Sequence, residues 1–566
     1  MKNRILTIIA GVSFSALGLV SCSEDFTTDT NYGALSGEQL QNETGLNLML
    51  VGAYSSLDGI RDSGGADWEQ TGDNWWLDAI SDDAHKGSDN PDQANLYDLT
   101  NFNWTTGNSY IGNKWRALYA GVNRANAVID LINKIEGGVD AYPNEMAQAR
   151  FLRGHFYFEL TKIYGYVPYI DENNFAASEY TQPNDVMLWP QIEADFMFAA
   201  DNLPTSQGDA GRPTSWVAKA FLAKTYLYQS KWSDASNLFD EVIDSNTYAL
   251  LDEFGDNFRI AGENGTESVF AIQFTADGGQ SFNGNRGATL NAPNGGPGSC
   301  CGFYQPTQDL TNTFQTDASG LPLLDTYNQT DITSDYGVES SDSFTPYTGM
   351  VDPRLDFTVG RRGIDFNGFG AHVGKDWIRG TFADTPGPYL NKKGFYWNGE
   401  DANVGSGAWG EQRSGMNYHI MRYADVLLMA AEAHAEQGNL ADAVAYVDEV
   451  RERAMNSSYL QAVDGSGDAA NYMISTYGSF ASQDEAIKAI RMERRLELGM
   501  ESHRLFDLRR WGTGVEVMNE FFVNEARTIL SYDGVPNAYQ AKHDLLPIPI
   551  NAIDLSGGVL KQNSGF

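Results

Sequence analysis

The segment at residues 418–454 constrains the fold most, because its apolar residues recur at three- and four-residue steps, the spacing of one helix face. Gly438 and Asn439 interrupt the pattern, and a second series with the same period follows them. The two series comprise Tyr423, Val426, Leu427, Ala430, Ala431 and His434, and then Ala443, Val444, Val447 and Val450. The segment is therefore predicted to form two antiparallel helices joined by a tight turn.

A second copy of this pattern occupies residues 216–243. Its turn, residues 230–235, aligns with residues 438–443, and Phe239 then falls on Val447. Small residues at the turn and an early alanine in the second helix are typical of tetratricopeptide repeats. One helix pair cannot bury its apolar face alone, so the sequence predicts a mostly helical repeat scaffold with further pairs.

The rest of the chain divides into helical ends and a loop-rich middle. Periodicity predicts helices at residues 44–57, 115–134, 144–164, 186–202 and 485–510. From about residue 249 to residue 417 the periodicity is lost, and Gly, Asn, Asp, Pro and aromatic residues dominate, with a strand-like run at 268–274. The predicted organisation is a signal segment at 1–21, a helical part at 22–245, a loop-rich insertion at 246–416 and a second helical part at 417–566.

The overall charge limits the classes of ligand. The chain of 566 residues carries a formal net charge of −37, which disfavours bulk binding of nucleic acid or anionic lipid. The same field weakly favours a neutral ligand over a polyanionic one. An anionic ligand nevertheless remains an alternative, because the loop-rich middle of the chain contains three cationic residues, Arg361, Arg362 and Arg379.

The N-terminus resembles a secretory signal. Lys2 and Arg4 precede an apolar run at residues 5–19, which is too short to span a membrane. Cys22 directly follows Leu-Val-Ser, as in a bacterial lipobox, so the mature chain is predicted to begin at a lipidated Cys22. The alternative is an ordinary signal peptide with an incidental cysteine. Residues 23–25 are acidic in character, which resembles a mark for export to the outer face of the outer membrane.

The segment at residues 485–511 is dense in charge. Glu493, Glu497 and Glu501 lie four residues apart and would repel one another on one helix face. The neighbouring arginines predicted to compensate them are Arg491, Arg494, Arg495, Arg504, Arg509 and Arg510. We interpret the segment as a structural ion network rather than a catalytic site.

Catalytic signatures are largely missing from the sequence. It contains neither H-E-x-x-H nor G-x-S-x-G. Residues 405–410 match G-x-G-x-x-G, but they follow no predicted strand, so we attribute the match to loop composition. With 75 acidic residues, paired carboxylates are unavoidable and carry little evidence for glycosidase chemistry. The chain is predicted not to be an enzyme.

A set of ordered motifs resembles one family. Residues 421–428 read MRYADVLL, residues 493–512 contain ERRLEL and RLFDLRRWG, and the chain closes on LLPIP and QNSGF. Similar matches occur at residues 115–126, 149–168, 300–306 and 352–355. Together they resemble the SusD/RagB-like outer-membrane nutrient-binding lipoproteins over nearly the whole mature chain.

The resemblance implies a fold, a location and partners. The fold would be mostly α, a tetratricopeptide-like scaffold of about four helix pairs with a large loop-rich insertion carrying short strands. The protein would be lipid-anchored on the outer membrane, facing outward, and would act in polysaccharide utilisation with a SusC-like TonB-dependent transporter. Its ligand would be an oligosaccharide or polysaccharide, or peptide as in RagB-like members. A helical glycosidase and a pure protein-interaction scaffold remain as alternatives.

Three groups of residues are predicted to bind carbohydrate, because aromatic rings stack on the apolar faces of sugars while polar side chains bond the hydroxyl groups. The first group is Asn74, Trp75 and Trp76, the second is Phe303 and Tyr304, and the third is Trp377, Arg379, Tyr389, Trp397 and Trp409. For any single aromatic, core packing is the stronger alternative. For the third group taken together, the Gly, Asn and Asp neighbours favour a surface role.

Two further features concern covalent and metal chemistry. Adjacent Cys300 and Cys301 are predicted to form a vicinal disulfide in an oxidising compartment, which would stiffen the loop that presents the second aromatic group; two free thiols are the alternative. No cofactor is predicted. A structural calcium ion among Asp82, Asp83 and Asp89 is an open alternative to a solvated acidic loop.

Overall fold

The computed structural model describes residues 39–60, 67–176, 182–276, 283–291, 293–298, 300–384, 387–400, 403–406 and 412–566. The predicted lipidation site Cys22, the aromatic Trp409 and most of the glycine-rich loop at 405–410 lie outside these ranges. The chain divides into two compact units, residues 1–48 and 49–566. The first unit is described only over residues 39–48, where helix α1 (Glu43–Tyr54) begins.

The longer helices build the scaffold. They are α4 (Ser109–Lys134), α6 (Pro143–Tyr164), α7 (Trp189–Asn202), α8 (Ser215–Leu227), α9 (Trp232–Asp244), α13 (Tyr423–Glu436), α14 (Leu440–Asn456), α15 (Gln483–Leu498), α16 (Arg504–Arg510) and α17 (Gly514–Glu525). Consecutive members pack in the order α4, α6, α7, α8, α9 and α13, and α14 and α15 both pack against α13. The predicted helical-repeat scaffold is therefore confirmed.

Shorter helices lie between these elements or in the insertion. They are α2 (Trp75–Asp78), α3 (Ala94–Thr100), α5 (Gly138–Ala141), α10 (Arg286–Asn291), α11 (Gln308–Thr313), α12 (Leu355–Thr358) and α18 (Ile550–Leu555). Several helices begin where a side chain satisfies a free backbone N–H. Asn108 accepts from Tyr110, Thr214 from Val217 and Ser482 from Glu485, as expected of N-cap residues.

Helix α13 explains why the repeat signal was so clear in the sequence. Ala424, Ala430, Ala431 and Ala433 are fully buried, because α9, α14 and α15 all pack against this helix. Small side chains let three neighbours approach one helix closely. The prediction was wrong at its start, since residues 418–422 form a strand and the helix begins only at Tyr423.

The strands are short and pair two by two. They are β1 (Ala84–Lys86), β2 (Ser268–Ile272), β3 (Tyr304–Pro306), β4 (Met350–Val351), β5 (Val359–Gly360), β6 (Leu390–Asn391), β7 (Val404–Ser406), β8 (Gln412–Ser414), β9 (Tyr418–Arg422) and β10 (Asn471–Tyr472). The pairs β1–β3, β2–β9, β5–β6 and β7–β8 are antiparallel, and β4–β10 is parallel. The insertion thus starts just after β2 and ends at its partner β9.

A small apolar cluster gives the insertion its own core. Its buried members are Phe366, Ile378, Leu390, Phe395, Tyr396 and Met416. Ile260, Phe369, Trp377 and Val404 pack on its edge and are partly buried. The cluster therefore holds the segment around Trp377 in a fixed place although that segment has little regular secondary structure.

Glu493 and Glu497 lie on α15, and Glu501 follows its C-terminal end. All three form ion pairs, but not with the arginines predicted from the sequence. Glu493 pairs with Arg354 and Arg451, Glu497 with Arg354, Arg422 and Arg453, and Glu501 with Arg422 and Lys393. All of these side chains are at most 7% exposed. The structural ion network thus ties α15 to β9, α14 and the insertion.

Arg495 organises the acidic residues considered for calcium. Its guanidinium contacts Asp83 at 2.6 Å, Asp309 at 2.7 Å and Asp82 at 3.2 Å, and Arg504 contacts Asp82 at 2.8 Å. Asp82 and Asp83 are therefore buried and held by guanidinium groups, so the solvated acidic loop is wrong for these two residues. The described part of the chain contains no group of three His, Cys, Asp or Glu residues arranged to hold a metal ion.

One ion pair joins two of the repeats. His434 Nε2 lies 3.0 Å from Asp240 Oδ1, and Tyr446 donates a hydrogen bond to the same oxygen at 2.8 Å. The hydrogen bond to Asp240 raises the pKa of His434 above 6.5. This pair joins α9 to α13.

We expect His434→Gln to remove a pH-dependent part of the stability. The folded-state pKa is raised, so the stabilisation is fully present below about pH 6.5 and is lost as pH rises through the raised value. The difference in thermal unfolding midpoint between wild type and variant should therefore be largest at about pH 5, where His434 is protonated and Asp240 is ionised, and should shrink towards about pH 9. A difference that is constant with pH would contradict this assignment.

Candidate functional site

The first predicted group is buried. Asn74, Trp75 and Trp76 are 6%, 1% and 0% exposed, so the expectation of an open aromatic patch is wrong here. The indole N–H groups of Trp75 and Trp76 donate to the carbonyl oxygens of Trp68 and Glu69, each at 3.1 Å. These hydrogen bonds close the loop onto itself, and the rings become part of the core.

The second group and Tyr389 are buried for a similar reason. Phe303 is 1%, Tyr304 3% and Tyr389 1% exposed, so none of them can present an open ring face. Tyr304 lies on β3, and its hydroxyl donates to Asp78, while the Tyr389 hydroxyl donates to Gln308 Oε1 at 2.8 Å. The polar tip of each ring is thus satisfied inside the protein.

Trp75 and Tyr304 instead line a partly open cavity of about 80 Å³ where the insertion meets the scaffold. The other residues that line it are mostly polar and include Asp73, Asn257, Asn285, Asn291, Asn391, Ser414, Asn417 and Glu501. A cavity of this size has room for a few water molecules. Its lining comes from both the insertion and the scaffold.

Trp377 is half-buried, so part of its indole remains accessible. Phe366 and His372 pack against it with ring centroids 6.0 and 5.2 Å away. Gly296 lies against the indole so closely that a Cβ atom at this position would come within 2.5 Å of the ring. The contact therefore needs glycine at position 296, and it links the loop at 293–298 to Trp377.

An ion pair lies two residues from Trp377. Arg379 Nη2 contacts Asp92 Oδ2 at 2.7 Å, and both side chains are about one-third exposed. Phe303 lies beneath the guanidinium at 5.8 Å and beneath the ammonium of Lys86 at 5.0 Å. We call Asp92, Gly296, Trp377 and Arg379 the Trp377 surface.

Lys86 supports this surface from below. Its Nζ donates to the carbonyl oxygens of Gly87 and Asp89 at 3.0 and 2.8 Å, and burial lowers the pKa of Lys86 to about 8. The strand that carries Lys86 pairs with β3, where Lys86 lies opposite Tyr304. Lys86 is 3% exposed, so it fixes the loop that bears Asp92 and does not face solvent.

A second half-buried indole is Trp397. The guanidinium of Arg259 lies 5.0 Å from the centre of its ring, and Arg259 Nε contacts Glu400 Oε1 at 3.2 Å. Glu400 also accepts the backbone N–H of Trp397 at 3.2 Å. Asn398 beside the ring is exposed. We call Arg259, Trp397, Asn398 and Glu400 the Trp397 surface.

Cys300 and Cys301 are bonded to each other. The bond lies in the loop between Gly296, which contacts Trp377, and Gly302, whose Cβ position would lie 3.8 Å from the Arg379 side chain. The backbone N–H of Gly87 donates to the Phe303 carbonyl at 2.9 Å. The disulfide therefore stiffens the loop that runs along the Trp377 surface, rather than an exposed Phe303–Tyr304 patch.

Apart from Arg379, the charged residues of the two surfaces were not predicted from the sequence. The sequence does not show these contacts, because the paired residues lie far apart along the chain. Asp92 contacts Arg379, and Arg259 contacts Glu400. The combination of a half-exposed indole, an arginine and a carboxylate can stack on a sugar ring and bond its hydroxyl groups. It provides no nucleophile paired with a base, as acyl transfer would need.

The fold is a helical-repeat scaffold with a loop-rich insertion that carries two partly buried indoles. The chain belongs to the SusD family: the model described as SusD family matches residues 266–566. A second family model, described as "Starch-binding associating with outer membrane", matches residues 52–227. These matches confirm the family predicted from the ordered motifs.

Individual relatives agree with this assignment. The chain is 27% identical over 495 residues to "SusD-like protein P2" of Formosa agariphila. The aligned region covers 83% of each of the two chains. It is 26% identical over 443 residues to a "SusD-like protein" of Bacteroides ovatus, which covers 74% of this chain and 68% of the relative.

Solved structures share the fold. A "Laminarin binding SusD-like protein" superimposes with a TM-score of 0.67 at 23% identity and covers 93% of this chain and all of the other. "Surface glycan-binding protein A" from Bacteroides thetaiotaomicron, in complex with laminarihexaose, has a TM-score of 0.67 at 21% identity and covers 92% and 99%. Over the residues that the structure describes, no helix combines the length and apolar character needed to cross a membrane.

Proposed function

We propose that this protein is a cell-surface lipoprotein that captures an oligosaccharide or polysaccharide and passes it to a SusC-like TonB-dependent transporter. The sugar would stack against Trp377 and Trp397, and it would not be cleaved. Lipidation at Cys22 would hold the protein on the outer membrane, facing outward. The family descriptions of starch binding and outer-membrane association support this proposal.

The observation that carries the proposal is a pair of partly buried indoles, one packed on the apolar cluster and the other next to it in sequence. Trp377 packs on that cluster directly, and Trp397 directly follows its members Phe395 and Tyr396. A ring that is already held in place loses little conformational entropy when a sugar stacks on it. Hydroxyl groups of the sugar would then bond Arg379, Asp92, Asn398 and Glu400.

The proposal is tested by substituting the indoles. We expect Trp377→Ala and Trp397→Ala each to weaken binding of a neutral glycan by about 1–2 kcal/mol, roughly tenfold, because each removes one stacking platform. Affinity electrophoresis in a panel of polysaccharides, followed by calorimetry with oligosaccharides of the retained type, measures the loss. Trp216→Ala, which removes a half-buried indole from scaffold helix α8, is the matched control and should bind as wild type.

Other outcomes distinguish the alternatives. Full retention by both Trp377→Ala and Trp397→Ala would refute the assignment of the surface. Calorimetric binding of mixed peptides without glycan binding would favour a peptide-binding member of the family. Release of reducing sugar from the polysaccharide panel would show catalysis and would contradict a purely binding role.

A further inference from the structure

The two indole surfaces share a charge arrangement that the proposed function does not itself require. Arg379 beside Trp377 contacts Asp92, and Arg259 over Trp397 contacts Glu400. In each case a carboxylate from another part of the chain lies on the guanidinium. The partner of Arg379 is 287 residues earlier in the sequence, and that of Arg259 is 141 residues later.

The remaining arginines considered for an anionic ligand are turned inward. Arg361 is 4% exposed and makes two hydrogen bonds with Asp356, at 2.6 and 2.8 Å. Arg362 is 9% exposed and donates to the carbonyl oxygens of Glu339, Ser340 and Asp342. Neither guanidinium can reach a sulfate or carboxylate on a bound chain.

We infer that these surfaces select uncharged glycans, and that Asp92 and Glu400 are the residues that set this specificity. The inference rests on the proposed function and narrows its substrate class. A sulfate or uronate placed near Arg379 or Arg259 would meet a carboxylate already bound there. Repulsion from that carboxylate, in a protein of net charge −37, disfavours the anionic sugar while leaving hydroxyl groups free to bond.

Lys86 lies beneath the Trp377 surface, and burial keeps its ammonium from a bound anion. The one buried ammonium there donates to backbone carbonyl oxygens. A neutral sugar meets hydrogen-bonding groups at this place without an unbalanced charge.

The test compares one neutral oligosaccharide with the same oligosaccharide carrying sulfate esters, by calorimetry. Wild type should bind the neutral form in preference, with an affinity that changes little between low and high salt. The double variant Asp92→Asn with Glu400→Gln keeps both side-chain shapes and removes both charges. We expect its affinity for the sulfated form to rise roughly three- to tenfold, and this gain should weaken at high salt.

A matched control removes the same charge elsewhere. Asp130→Asn with Glu241→Gln breaks two exposed ion pairs on scaffold helices, with Lys134 and Lys219, and should leave the preference as in wild type. An equal gain in this control would show that bulk charge, not the two surfaces, sets the preference, and would overturn the inference.

The outcomes separate this inference from the proposed function. Wild type that binds the sulfated form as tightly as the neutral one overturns the specificity assignment and leaves glycan binding standing. An unchanged preference in the Asp92→Asn, Glu400→Gln variant also overturns it. Failure of wild type to bind any glycan of either kind overturns the proposed function, and the specificity assignment with it.

Discussion

Glu497→Gln is expected to lower the free energy of unfolding by about 3–5 kcal/mol, the usual cost of breaking a buried ion pair from one side. Glu497 is fully buried on α15 and contacts Arg354 at 3.0 Å, Arg422 at 2.6 Å and also Arg453. Burial alone would raise the pKa of Glu497, but the three guanidinium groups hold it well below its usual range. Removing the negative charge would leave these guanidinium groups facing one another with too few carboxylates.

Denaturant unfolding followed by tryptophan fluorescence measures this loss. Lys488→Ala is the control on the same helix, because Lys488 makes an exposed pair with Asp325 and its loss should change the stability little. Equal stabilities for the two variants would mean that the buried network contributes no more than a surface pair.

Arg495→Met is the second change with a large expected effect. Arg495 is 4% exposed and contacts Asp82, Asp83 and Asp309, so its loss leaves buried carboxylates without their counter-charge. We expect a loss of about 3–5 kcal/mol in stability. Asp82 and Asp83 directly precede β1, so we also expect faster hydrogen exchange across residues 82–92, the segment that carries Asp92.

Two further variants serve as controls for the stability change in Arg495→Met. Arg527→Met makes the same substitution in an exposed pair with Asp331 and should change stability little. Arg495→Lys keeps the charge but loses the planar fork of donors, so it should recover only part of the stability. Unchanged exchange at residues 82–92 in Arg495→Met would show that this segment is held by other contacts.

The scaffold could be predicted from the sequence because its signals are local. The periodicity of α13 and α14, the turn at Gly438 and the alanines of α13 lie within one segment of about 35 residues. The strand at 418–422 was missed since its partner, β2, lies about 150 residues earlier. Local pattern cannot report a pairing over that distance.

The site was predicted less well, because burial depends on contacts that the sequence does not display. Trp75 and Tyr304 have polar and glycine neighbours, like Trp377, yet hydrogen bonds to Trp68 and Asp78 hold them inside. The ion-pair partners of Glu497 were predicted wrongly for the same reason, because Arg354 and Arg422 come from other segments of the chain. Trp377 and Trp397 are half-buried, and their role in binding remains a prediction.

The pairing of β2 with β9 has a consequence for how such proteins diversify. The chain leaves the repeats at Ile272 and returns at Tyr418, and these two residues lie opposite each other in one ladder. A different stretch grafted between them would therefore begin and end at fixed points of the scaffold. Such a graft would have to keep Arg354 and Lys393, because both neutralise glutamates of the helical frame.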